Sequence, residues 1–170
     1  MTVVKRMLRA LVLFLAVIVI VMQFFHPKGN VSNDESQSIT LQMKVPDSVQ
    51  KILLASCSDC HSNHTTYPWY AYIQPIGFWL NRHIKEGKEE LNFSEFSSYS
   101  PRRKYRKFTE IKEQVEKDEM PLGSYTFIHR DAILSDGRKE QLIRWTLAMK
   151  DTLEHHFPTD SLQRMEAGNK

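Results

Sequence analysis

The sequence predicts an all-α domain preceded by an N-terminal transmembrane helix. Three observations lead there. Between residues 45 and 156 no stretch alternates apolar and polar residues for long, while apolar residues recur at helical spacing. Proline and capping residues punctuate that spacing where helices should start and stop. Residues 10–22 are an unbroken apolar run of thirteen, set behind Lys5, Arg6 and Arg9.

Taken in order, the apolar run suits the centre of an export signal, and about 20 residues are wanted for a full span. No A-x-A-like cleavage site follows it; the chain continues Gln23-Phe24-Phe25-His26-Pro27-Lys28. The expectation is an uncleaved anchor, stretched by Arg9 and Gln23 reaching toward the headgroups, with a cleaved signal as the alternative. The basic flank would stay in the cytoplasm. A single-pass inner-membrane protein with its domain in the periplasm follows. Residues 27–44 are mostly polar and are expected to be a spacer, with a short strand at residues 39–45 as the alternative.

Pro46 and Asp47 open a helix with Val49, Ile52 and Leu53 on one face, leading into Cys57. A turn at Tyr67-Pro68-Trp69-Tyr70 precedes a second helix after Pro75, with Ile76, Trp79, Leu80, His83 and Ile84 on one stripe and Gly87 as its stop. Ser100-Pro101 is a capping hydroxyl with proline at the first helical position. The helix it opens turns Tyr105, Phe108, Ile111 and Val115 inward, and Met120-Pro121-Leu122-Gly123 breaks it. A last helix from Ser135-Asp136 carries Leu142, Trp145 and Met149.

Composition narrows the function. The 170 residues are 41% hydrophobic and 25% charged, a foldable mix, and a net charge of +3 without basic-aromatic runs gives no footprint for nucleic acid. The two cysteines stand three positions apart, so a disulfide framework fails. They belong to Cys57-Ser58-Asp59-Cys60-His61. Two thiols at that spacing can add across the two vinyl groups of a haem, and the next residue places an imidazole under the iron. One covalent haem c is the expected cofactor. A thioredoxin-like pair would need an α/β pattern. A zinc site using Cys57, Cys60, His61 and His64 would need adjacent residues to converge on one ion. A plain disulfide or two buried thiols is the remaining alternative.

An electron carrier wants both axial positions filled. Met120 is the expected second ligand, delivered behind a helix and biased toward extended backbone by Pro121. His129 is the runner-up, and Met120 as plain core packing stays open. Tyr67, Trp69 and Trp79 are candidates for the pocket wall. Arg82, Arg102 and Arg103 are candidates for neutralising propionates.

The segments Cys57-Ser58-Asp59-Cys60-His61-Ser62-Asn63, Tyr67-Pro68-Trp69-Tyr70, Leu91-Asn92-Phe93-Ser94 and Glu119-Met120-Pro121-Leu122 together resemble a bacterial haem-binding domain family, over roughly residues 45–148. Its members look like small monohaem cytochromes c, mostly from Bacteroidota and often on one N-terminal anchor. The resemblance implies Cys57 and Cys60 as attachment residues, His61 as proximal ligand, and Met120 as distal methionine. The expected organisation is an anchor at 1–26, a linker at 27–44, a cytochrome c-like haem domain at 45–157 and a flexible tail at 158–170. The expected function is single-electron transfer between redox partner proteins at the outer face of the inner membrane, without enzymatic activity. A haem sensor or accessory subunit, a peroxidase with His129 as acid/base, and a non-haem structural module are the alternatives.

Overall fold

The computed structural model describes residues 2–163. Helices carry the fold: α1 Thr2–Met22, α2 Asp47–Ser56, α3 Ser58–His61, α4 Ile76–Glu90, α5 Pro101–Glu116, α6 Gly123–Ile128, α7 Asp136–His156 and α8 Thr159–Leu162. Short 3-10 turns lie between them. Among the described residues, β structure is limited to an isolated antiparallel bridge between Val31 and His64.

The centre is a pair of long helices. Phe108 of α5 meets Trp145 of α7 edge-on at 5.4 Å, Tyr105 donates to Glu154, and Lys139 pairs with Asp118. Low numbers on one helix face high numbers on the other, so α5 and α7 run antiparallel. Ser100 and Ser135 cap them, accepting from the amides of Arg103 and Arg138. Phe96 completes the aromatic centre at 5.2 Å from Phe108, and α2 adds Val49, Ile52 and Leu53. Phe96, Phe108, Trp145, Val49, Ile52 and Leu53 are all buried, and burial of such large apolar groups contributes roughly 1.5–3 kcal/mol each.

The expected transmembrane helix is overturned, and with it the single-pass inner-membrane location. Among the described residues no helix is long and apolar enough to cross a membrane. Helix α1 is 21 residues long, but Lys5, Arg6 and Arg9 occupy its first half. Its apolar part rises only about 20 Å at 1.5 Å per residue, against about 30 Å of hydrocarbon. Gln23 does not reach outward either. Its side chain donates to the Gln74 carbonyl and accepts from the Gln74 amide, at 3.0 and 2.9 Å.

Residues 27–44, expected as a free spacer, lie along the domain. Asn30 donates to the Ser62 carbonyl and the Thr65 hydroxyl, and Ser97 donates to the Ser38 carbonyl. Ile39 and Met43 insert into the core. Two apolar side chains and a set of backbone acceptors are enough to order a polar segment. Residues 39–41 form a 3-10 turn rather than a strand. The expected tail also begins with structure: α8 packs Leu162 into the core, while residues 164–170 lie outside the described residues.

Candidate haem site

Helices α2 and α3 meet at Cys57, which ends one and starts the other. The Cys57 carbonyl accepts from the amides of Cys60 and His61 at 3.2 and 3.0 Å. That single turn puts both thiols and the imidazole on one wall. They line a cavity of about 310 Å³ together with Met120, Pro121, Leu122, Tyr125 and His83. A second cavity of about 450 Å³ shares Ser56, Cys57, His61 and Met120 with the first and extends to Ile111, Val115 and Leu142. Both volumes fall in the range of small-molecule and cofactor sites.

His61 is held by the end of α4. Its Nδ1 is 2.9 Å from the Gly87 carbonyl oxygen and 3.0 Å from that of Leu91. Carbonyls only accept, so Nδ1 carries the proton and Nε2 is the ring's remaining lone pair. Leu91 is the C-cap of α4, so its carbonyl lies beyond the helical ladder, while the Gly87 carbonyl takes the ring as a second bond beside the Leu91 amide at 2.9 Å. Burial holds the imidazole below its ordinary pKa, against the opposing pull of the Leu91 and Gly87 carbonyls. The ring is thus neutral and oriented, as a metal ligand must be.

Gly87 does not stop α4, which continues to Glu90. A Cβ there would lie 2.9 Å from the Cys60 carbonyl oxygen and 3.2 Å from Cys60 Cβ. Close approach of two backbones, rather than helix termination, uses this glycine.

Met120 is brought in by a left-handed residue. Asp118 has φ 57°, and beyond it the amides of Glu119 and Met120 both donate to the Gln114 carbonyl at 2.9 and 3.2 Å. The chain folds back along the last turn of α5 and lays Met120 on the wall of both cavities. The Met120–Pro121 bond is cis.

Burial pushes the Cys57 thiol up to about 12, with Cys60 adding, and the Cys60 thiol up to about 11, with Asp59 adding. Both are free cysteines and stay protonated at neutral pH. A redox-active C-x-x-C pair has the opposite property, a lowered thiol pKa. Among the described residues no three His, Cys, Asp or Glu side chains are grouped to hold a metal ion. Ser56 Oγ is buried without a hydrogen-bond partner, on the wall of both cavities.

The chain matches the family model described as "Haem-binding domain" over residues 17–148. It belongs to the haem-binding domain family. The match runs from the second half of α1 through most of α7, so it covers both cavities. No curated protein and no solved structure matches the chain.

In this haem-binding domain the four expected site residues, Cys57, Cys60, His61 and Met120, line one cavity. The runner-up ligand is elsewhere. His129 Nε2 shares a 2.9 Å hydrogen bond with the Tyr70 hydroxyl, and its ring stacks on Tyr125 at 4.3 Å. The expected aromatic wall is not made by Tyr67, Trp69 or Trp79. Tyr67 accepts from the Asn30 amide, Trp69 is 75% exposed, and Trp79 packs on His83. Arg82 pairs with Glu86, Arg103 lies over Tyr99, and neither they nor Arg102 line the two cavities. Lys107 is the cation on the second cavity's wall, buried between Glu90 and Glu110.

Two site residues escaped the sequence reading. Tyr125 lines the first cavity and donates to Asp59 Oδ2 at 2.7 Å. Asp59, inside the cysteine run, also accepts the Thr66 amide through Oδ1 and the Thr65 hydroxyl through its carbonyl. Burial, then the bond to Asp59, raises the Tyr125 phenol, so it remains a donor. The only signal for this pair was an acid between two cysteines, and a lone acid carries no partner's address.

Proposed function

We propose that the chain is a monohaem c-type cytochrome that passes single electrons between redox partner proteins and is not itself an enzyme. The observation that carries this reading is the shared cavity, lined by two protonated thiols, an oriented imidazole and a thioether drawn from separate segments. When bound, haem supplies an iron that alternates between ferric and ferrous, and two vinyl groups across which the thiol S–H bonds add with no atom lost.

The residues fit that group. Cys57 and Cys60 would hold it covalently, one helical turn apart. His61 presents Nε2, and its Nδ1–H bond to the Gly87 and Leu91 carbonyls strengthens it as a ligand. Met120 lines the same cavity and would offer its thioether as a second ligand to the iron. Methionine/histidine coordination raises the reduction potential and leaves no open position on the iron. Ile111, Val115 and Leu142 give the second cavity an apolar wall. A peroxidase would need an acid/base group at an open face, and His129 is engaged with Tyr70 instead.

Haem staining after denaturing electrophoresis tests the reading, because thioethers survive conditions that remove ordinary haem. Protein from cells competent in cytochrome c maturation should stain. Cys57→Ser combined with Cys60→Ser should not. An unstained wild-type band would refute covalent attachment, and rapid carbon monoxide binding by the reduced protein would refute six-coordination.

A further inference from the structure

We infer that Tyr125 and His129 form a clasp that positions α6, and through it the turn of Met120, Pro121 and Leu122, across the haem cavity. The inference rests on the covalent-haem reading with Met120 as ligand. Packing does not hold α6. None of its six residues is buried, and Phe127 and Ile128 are 71% and 54% exposed. A Cβ at Gly123 would meet nothing within 4 Å. Yet this short helix follows directly on the cavity wall, since Leu122 precedes its first residue.

Two side chains tie it down. Tyr125 reaches the attachment turn, donating to Asp59 Oδ2 at 2.7 Å. His129 reaches the 3-10 turn of Trp69–Tyr72 through its 2.9 Å bond with Tyr70. The rings of Tyr125 and His129 lie face to face, 4.3 Å apart and 16° from parallel, so each bond braces the other. Asp59 is a fixed post, because its other carboxylate oxygen accepts the Thr66 amide at 3.0 Å. The phenol–carboxylate bond is charge-assisted and therefore the stronger of the two. Tyr125 is three residues from Leu122 and five from Met120. Releasing it should let the thioether leave the cavity more often without disturbing the core, which lies under α5 and α7.

Imidazole binding to the ferric holoprotein reads that motion, since imidazole must displace Met120. Hydrogen exchange at the amides of residues 123–129 reads it independently of the haem. Tyr125→Phe removes one hydroxyl and keeps the stack. It should retain stainable haem, bind imidazole about tenfold faster, and lose amide protection over residues 123–129. Tyr70→Phe should act in the same direction more weakly, and the double variant should exceed either. Asp59→Asn keeps an acceptor for Tyr125 and should cost less than Tyr125→Phe. Met120→Ala sets the limit of fast binding. If Met120→Ala is fast but both phenylalanine variants match the wild type, the clasp is wrong and the ligand reading stands. If Met120→Ala also matches the wild type, the ligand reading fails and the clasp fails with it. An unstained wild-type band removes the covalent-haem reading beneath both.

Discussion

His61 Nδ1 lies 2.9 Å from the Gly87 carbonyl oxygen, and the missing side chain of Gly87 is what lets the cysteine run come that close. One position of α4 therefore does two things. Its carbonyl orients the imidazole, and its bare Cα admits Cys60. The two are coupled, because any residue that pushes α3 away also lengthens the bond to the ring.

Gly87→Ala tests that coupling. At an ordinary helix position the change would gain up to about 1 kcal/mol. Here the added Cβ meets the Cys60 carbonyl oxygen at 2.9 Å, a backbone atom that cannot swing aside. Overpacking of this kind costs roughly 1–3 kcal/mol, so the variant should be less stable than the wild type despite its better propensity. Thermal unfolding of the holoprotein measures it. A midpoint at or above the wild-type value would show that α3 and α4 have room between them.

The same glycine shows where sequence reading stops. Ser100-Pro101 marks the start of α5 because a cap and a proline act within one turn, and the structure places the helix there. Gly87 resembled a helix end because glycine commonly follows one, and its real partner, Cys60, lies too far along the chain for local spacing to reveal it. The Asp59–Tyr125 bond spans 66 positions and left no local trace. Residues 27–44 misled in another way. Their polarity is genuine, but it is used on the Ser62 carbonyl, the Thr65 hydroxyl and the Ser97 hydroxyl, the last donating to Ser38, rather than on water. The thirteen apolar residues of α1 are plain in the sequence and still fall short of a span. The cysteine run was legible because its chemistry is contained in five consecutive residues.

Asp118 offers a sharper test of the turn that delivers Met120. Its φ of 57° is a conformation that aspartate tolerates and β-branched residues resist. Asp118→Val should cost roughly 1–2 kcal/mol. Asp118→Gly should be close to neutral, because it loses only an exposed ion pair with Lys139, worth about 0–1 kcal/mol. Urea unfolding of the two variants should separate them clearly. Equal midpoints would mean that the backbone at residue 118 is not held left-handed.

Lys104 predicts a pH dependence away from the haem. Burial lowers its pKa in the folded protein, while its ammonium donates to Gln42 and to the Ser97 carbonyl. With a folded pKa below the unfolded value, the unfolded chain binds more protons over the interval between them. Stability from this residue must therefore rise with pH across that window, toward 10.5. Relative to Lys104→Met, the wild type should gain stability between pH 8 and pH 10.5, read by urea unfolding at both. A constant difference between the two proteins would show that Lys104 titrates alike in both states.

Met120 carries the most consequential prediction. The fold-back at Asp118 and the two amide bonds to Gln114 set its side chain on both cavities, whereas His129 is engaged with Tyr70 and lies off them. A thioether is softer than imidazole and favours ferrous iron, so losing it should lower the reduction potential or open the site. Ferric wild-type protein should show the weak far-red sulfur-to-iron charge-transfer band. Met120→Ala should lose that band and bind carbon monoxide once reduced. Met120→His should restore six-coordination at a lower potential. His129→Ala should keep the band, because its ring touches Tyr125 and Tyr70 rather than the cavity. The opposite pattern, a silent Met120→Ala and an altered His129→Ala, would make the iron bis-histidine. It would require the Tyr70–His129 bond to break in the holoprotein and would leave Met120 as packing beside Ile111 and Val115.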